Sequence, residues 1–124
     1  MPFERRRRRS PVIQEALDLQ LKALARRANV QTVVLADDLG LVVAVAGDSD
    51  ESEEFAAMTT QLAPGQRSWE GQIRTRRGSR QVTVVPLRGA DTDFWLCAVG
   101  GIGIGVEATL SAAGDGIRRI VNLD

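Results

Sequence analysis

The stretch VVLADDLGLVVAVAG, residues 33–47, decides the fold. Two runs rich in β-branched apolar residues flank Asp37, Asp38, Leu39 and Gly40. Acidic side chains there can bond to their own backbone, and glycine accepts positive φ, so the stretch predicts a β-hairpin. Asp37 and Asp38 are turn residues in this reading. Two adjacent carboxylates without further oxygen ligands make a poor cation cage.

Upstream, Ser10 and Pro11 supply an N-cap and a first-turn proline. Ile13, Leu17, Leu21, Leu24 and Ala28 then recur at helical spacing, which predicts a first helix ending near Asn29. Downstream, a hydrophilic stretch from Asp48 leads into EEFAAMTTQLAP, residues 53–64. Asp50 and Glu53 have capping-box spacing; Phe55, Met58 or Thr59, and Leu62 form a stripe; Pro64-Gly65 stops this short second helix. From Arg67 the period changes to two. Trp69, Gly71, Ile73 and Thr75 share one face, and Glu70, Gln72, Arg74 and Arg76 the other, as in a half-buried strand. Gly78 and Ser79 mark a turn into a strand over residues 81–87, with Pro86 expected at a strand end because it lacks an N–H for the ladder. FWLCAV, residues 94–99, is apolar on both faces and suits a central strand covered on both sides. Val106, Leu110, Ala113, Ile117 and Val121 then predict a last helix, although Gly114 and Gly116 weaken its intrinsic propensity and leave it to tertiary packing. The order is helix, two strands, helix, three strands, helix. Its connections are short enough to make the sheet antiparallel.

The chain of 124 residues is 44% hydrophobic and 26% charged, which suits one folded domain. Residues 1–10 are expected to be an arginine-rich disordered tail and residues 11–124 the domain. No apolar run approaches a membrane span, and a cytoplasmic location is expected. Cys97 is the sole cysteine and histidine is absent, which removes disulfides, thiolate clusters and the commonest base and metal ligand. Neither a metal nor a cofactor is expected, and no catalytic residue. The net charge of zero conceals segregation. Arg5, Arg6, Arg7, Arg8 and Arg9 crowd the start. Residues 37–54 carry Asp37, Asp38, Asp48, Asp50, Glu51, Glu53 and Glu54 with no basic residue, whereas residues 67–88 carry six arginines against Glu70.

The element order, the hairpin ADDLGLVVAVAG and the helix EEFAAMTTQL, with small alanines after an acidic start, resemble the roadblock (dynein light chain roadblock) family, including its bacterial MglB-type members. The resemblance covers roughly residues 12–122. It implies an α+β roadblock/profilin-like fold: a five-stranded antiparallel sheet with one helix on one face and two on the other. It also implies dimerisation through the second helix and the third strand, and service as a platform or regulator for Ras-like GTPases. Carried onto this chain, the dimer surface comprises Phe55, Ala56, Thr59 and Leu62 with Trp69, Gly71, Ile73 and Thr75. A strand edge with a single partner is independently a pairing template. The charge count adds the expectation that the acidic start of the second helix meets Arg74, Arg76 and Arg77 across the two-fold.

Other motifs carry less. In the run from Gly101 to Gly105, between a strand and a helix, Gly103 and Gly105 with Ala108 imitate the permissive form of a dinucleotide fingerprint, but the fingerprint needs a second parallel strand and an acidic residue about 20 positions on. Lys22, the only lysine, lies in the first helix and serves no phosphate loop. Cys97 reads as a small core hydrophobe, and Phe94 and Trp95 as packing groups. The tail arginines suit an anionic partner surface, anionic lipid or phosphate backbone, so any membrane contact would run through the tail; nucleic-acid specificity is not expected, because no reading motif accompanies them. The functional expectation is a non-enzymatic homodimer, or heterodimer with a related chain, that binds a small Ras-like GTPase. The alternatives are a structural adaptor without a GTPase and a profilin-like small-ligand sensor.

Overall fold

The computed structural model describes residues 10–48, 50–62, 67–90, 92–101 and 105–122. In chain order the elements are α1 (Pro11–Ala28), β1 (Thr32–Asp37), β2 (Val42–Gly47), α2 (Ser52–Leu62), β3 (Trp69–Thr75), β4 (Gly78–Arg88), β5 (Asp93–Val99) and α3 (Val106–Val121). The five strands form one sheet in the order β2-β1-β5-β4-β3, antiparallel throughout. This is the expected α-β-β-α-β-β-β-α arrangement, a roadblock-like α+β fold.

The sheet is covered on both faces, and the central strands explain why. Along β1, Val33 and Leu35 join the cluster under α1 and α3, while Val34 and Ala36 join the cluster under α2. Along β5, Phe94, Leu96 and Ala98 take the first side, and Trp95, Cys97 and Val99 the second. A strand buried on both faces needs apolar residues at every position, which is the composition of both segments. Leu17, Leu21 and Leu24 of α1 and Leu110, Ile117 and Val121 of α3 close one side. Phe55 and Ala56 of α2 close the other. No helix among the described residues is long and apolar enough to cross a membrane.

Local chemistry sets the ends. The Ser10 hydroxyl accepts from the Ile13 N–H at 3.1 Å, capping α1, and Asn29 ends the helix in the left-handed region with its N–H on the Ala25 and Arg26 carbonyls. In the β1–β2 hairpin one oxygen of the Asp37 carboxylate accepts from the Leu39 and Leu41 N–H groups at 2.9 and 3.0 Å, and Gly40 takes φ +78°. Asp37 is a turn residue, as its sequence context indicates.

Three local expectations shift. α2 begins at Ser52, so Glu51 and not Asp50 precedes it, and the Asp50 N–H goes to the Asp48 carboxylate at 3.0 Å. The β3–β4 turn consists of Arg76 and Arg77, with Gly78 already opposite Thr75 in the ladder. Here the Thr75 hydroxyl does what turn residues usually do: it donates to the Gly78 carbonyl at 3.0 Å and accepts from the Arg77 N–H at 3.1 Å. Pro86 lies within β4, two residues beyond Val84, the last residue paired with β3; there β5 alone flanks the strand. Pro64-Gly65 and Gly103 lie outside the described residues.

Glycine substitutions provide a test with opposite signs. Gly47 has φ +95°, and a Cβ there would run into the Gln31 carbonyl. Gly47→Ala should therefore cost about 2 kcal/mol or more. A Cβ at Gly114 or Gly116 would sit 3.7 Å from Leu87 or 3.9 Å from Gln20, in ordinary contact. Each Ala variant in α3 should gain up to about 1 kcal/mol of helix propensity. Urea midpoints measure all three, and a neutral Gly47→Ala would contradict the packing at the end of β2.

Candidate functional site

The surface with most potential for recognition lies where α2 and β3 share one face of the sheet. α2 packs chiefly across β1, β5 and β2. Phe55, Ala56 and Thr59 point into the subunit and are buried, the Thr59 hydroxyl donating to the Ala56 carbonyl at 2.7 Å. Of the expected interface residues on this helix, these three belong to the subunit's own core, and Leu62 lies half-buried at its rim. Glu53, Ala57 and Gln61 form the outward side.

Strand β3 carries the other half of the surface. It pairs with β4 on one side and is the last strand of the sheet. Trp69, Gly71, Ile73 and Thr75 alternate half-buried with exposed Glu70, Gln72 and Arg74. The Trp69 indole lies across Gly71: a Cβ at Gly71 would come within 2.8 Å of its ring carbons. Glycine thus leaves room for the edge of the indole ring against the strand. Trp69, Ile73, Met58 and Leu62 form a partly exposed apolar rim around the cluster beneath α2.

Charged residues gather at one end of this surface. The ladder register lines up Gly47, Thr32, Val99, Val82 and Gly71 across all five strands. Just past that row, Asp48 and the start of α2 meet the β3–β4 turn. Arg76 pairs with Glu54 at 2.7 Å, Arg77 with Asp48 at 2.9 Å and Asp50 at 3.4 Å, and Arg80 with Glu51 at 3.7 Å. The acidic and arginine-rich segments, expected to meet across a two-fold, already meet within one subunit, because register brings their ends together. The Asp48 carboxyl is held below its ordinary value by the Asp50 N–H and then by Arg77, and Arg77 is raised in turn by Asp48. A depressed carboxyl contributes stability at pH above its unfolded value and loses it as pH falls through the folded one. The exposed pairs of Arg76 and Arg77 contribute little, whereas Glu51 and Arg80 are mostly buried.

The remaining sequence candidates stand as follows. Cys97 is fully buried, and burial pushes its thiol up to about 12, so it is no thiolate at neutral pH. Phe94 and Trp95 are buried packing groups on opposite sides of the sheet. Gly101 and Gly105 precede α3 at positive φ, but the sheet they leave is antiparallel and has no Rossmann crossover. Arg5 to Arg9 lie outside the described residues. Sequence reasoning did not single out the Glu51–Arg80 pair or the seating of Trp69 on Gly71. The first depends on register, and nothing in its local sequence signals it; the second was visible only as a tryptophan and a glycine two residues apart on one strand face.

No protein-family model and no curated protein matches the chain. Solved structures do. A gliding protein MglB from Thermus thermophilus superposes with TM-score 0.67 at 19% identity, covering 93% of this chain and 95% of that one. An MglB described in a tetrameric arrangement gives TM-score 0.61 at 18% identity, covering 90% and 91%. A Roadblock/LC7 domain from Streptomyces avermitillis gives 0.54 at 24% identity, covering 82% and 97%. At such identities the likeness is one of fold, and over most of its length this chain has the fold of MglB and the Roadblock/LC7 domain.

Proposed function

We propose that this protein is a non-enzymatic, dimeric regulator or scaffold of the roadblock type, which binds a small Ras-like GTPase and biases its nucleotide state or its placement in the cell. The observation that carries the reading is the open edge of β3 beside α2, with the half-buried Trp69 and Ile73 rim next to it, in a roadblock-like fold. In a dimer, β3 pairs with its counterpart and extends the sheet, covering an edge that otherwise templates aggregation. Leu62, Trp69, Gly71, Ile73 and Thr75 are the contact residues in this reading. Phe55, Ala56 and Thr59 anchor α2 so that its outward side is presented at a fixed height above the sheet.

Regulation needs no catalytic group on this chain. A partner shifts a GTPase between states only by its difference in affinity for them. Arg5 to Arg9 are the proposed contact for an anionic surface of the partner. A sensor reading gains nothing from the cavity between α2 and β4, whose volume of about 20 Å³ is far below what an organic ligand needs.

Light scattering of the purified chain, alone and with GDP-loaded and GTP-loaded candidate GTPases, tests the reading. The expected mass alone is that of two chains, with at least tenfold tighter binding to one nucleotide state. A dimer indifferent to both states would favour an adaptor. Ile73→Lys, with unchanged circular dichroism, should weaken the dimer at least tenfold, or about 1.4 kcal/mol; an unaffected dimer would move the interface elsewhere. Replacing Arg5 to Arg9 with glutamine should leave the dimer intact and lower affinity for an acidic partner, most strongly at low salt. A loss independent of salt would contradict an electrostatic role for the tail.

A further inference from the structure

Between the start of α2 and strand β4 lies a cavity of about 20 Å³, lined by Gln31, Thr32, Asp48, Glu51, Arg77 and Arg80 among others. Most polar groups in its wall are already bonded to one another. The Thr32 hydroxyl donates to the Asp48 carbonyl at 3.0 Å, Arg80 donates through Nη1 to Gln31 Oε1 at 3.3 Å, and Arg77 holds the Asp48 carboxylate. Two atoms are not. Glu51 Oε2 and Arg80 Nε are both buried without a hydrogen-bond partner. The Glu51 side chain is 4% exposed and that of Arg80 21%, and Nε stands 3.7 Å from Glu51 Oε1, too far for a direct hydrogen bond.

An unpartnered carboxylate oxygen and an unpartnered guanidinium N–H, both buried, are costly to leave so. Together they specify their ligand. It must donate a proton to Oε2 and accept one from Nε. Ammonium has no lone pair for Nε, and chloride has no proton for Oε2. Water does both, and the volume exceeds the roughly 10–15 Å³ a single water needs. Gln31 Oε1 and the Thr32 hydroxyl each retain a lone pair for its remaining hydrogen-bonding capacity.

We propose that this cavity binds one water molecule as a fixed part of the fold, donating to Glu51 Oε2 and accepting from Arg80 Nε. The water completes a buried clamp between the residue that precedes α2 and strand β4. The ion pair of Arg77 with Asp48 lies in its wall. Because the clamp sets α2 against the sheet within one subunit, it is independent of the proposed dimer and its partner, and it holds or fails separately from them.

A crystal structure of the full chain at about 1.5 Å resolution tests the site directly. The expected result is one ordered water within hydrogen-bond reach of both atoms. Closure of Arg80 onto Glu51 without a water, or a Glu51 carboxylate turned out to solvent, would overturn the proposal. Thermal melts test the clamp in solution. Arg80→Met leaves the buried Glu51 charge without its nearest cation and should lower Tm by about 5 °C or more, whereas Glu51→Leu added to it removes charge and water together and should recover at least half of that loss. A double variant that melts no higher than Arg80→Met would also overturn it.

Discussion

Leu35 of β1 stands opposite Leu96 of β5, both wholly buried beneath α1 and α3, and the next pair, Val34 and Cys97, is buried beneath α2. This alternation forces two layers of helix onto one sheet. A fully buried Leu or Val contributes about 1.5–3 kcal/mol, so the two central strands supply much of the stabilisation, and every other element is arranged to keep water from them. α1 and α3 pack against each other as well as against the sheet, which accommodates the glycines inside α3. α2 works alone on its side. Its single buried stripe lies chiefly over β1, β5 and β2, and β3, at the end of the sheet, is only half-buried.

Helix cover ends before β3 on both sides. On the two-helix side α1 and α3 reach β2, β1, β5 and β4, whereas Glu70, Gln72 and Arg74 of β3 are exposed. On the α2 side Val82 and Val84 of β4 are fully buried, and Trp69, its ring edge beside Gly71, and Ile73 of β3 are half-buried. The same strand ends the sheet. A half-buried apolar rim thus lies next to the last strand of the sheet, and the ion pairs at its end join segments of one subunit.

The element order and the two-sided burial of residues 33–36 and 94–99 were legible in the sequence, because a period of two, an apolar run and a helical stripe each leave a distinct pattern. The stripe of α2 was legible as a stripe but not as to what it covers. The resemblance gave Phe55, Ala56 and Thr59 as dimer contacts, and their burial within the subunit became visible only with the sheet beneath them. The Arg76-Arg77 turn was hidden because its usual turn chemistry is supplied by a neighbour, Thr75. The charge segments were visible, yet their pairing depends on a register spanning five strands, which no local window contains.

The central claim is that β3 is an interface between copies of this chain. Amide hydrogen exchange along β3, followed by NMR as a function of protein concentration, tests it most directly. Alternate N–H groups of this strand point to β4 and the others point away. Slow exchange is predicted for both sets at concentrations where the chain is a dimer, with the outward set alone becoming fast on dilution. Fast exchange of the outward set at every concentration, in a chain that still dimerises, would contradict the account.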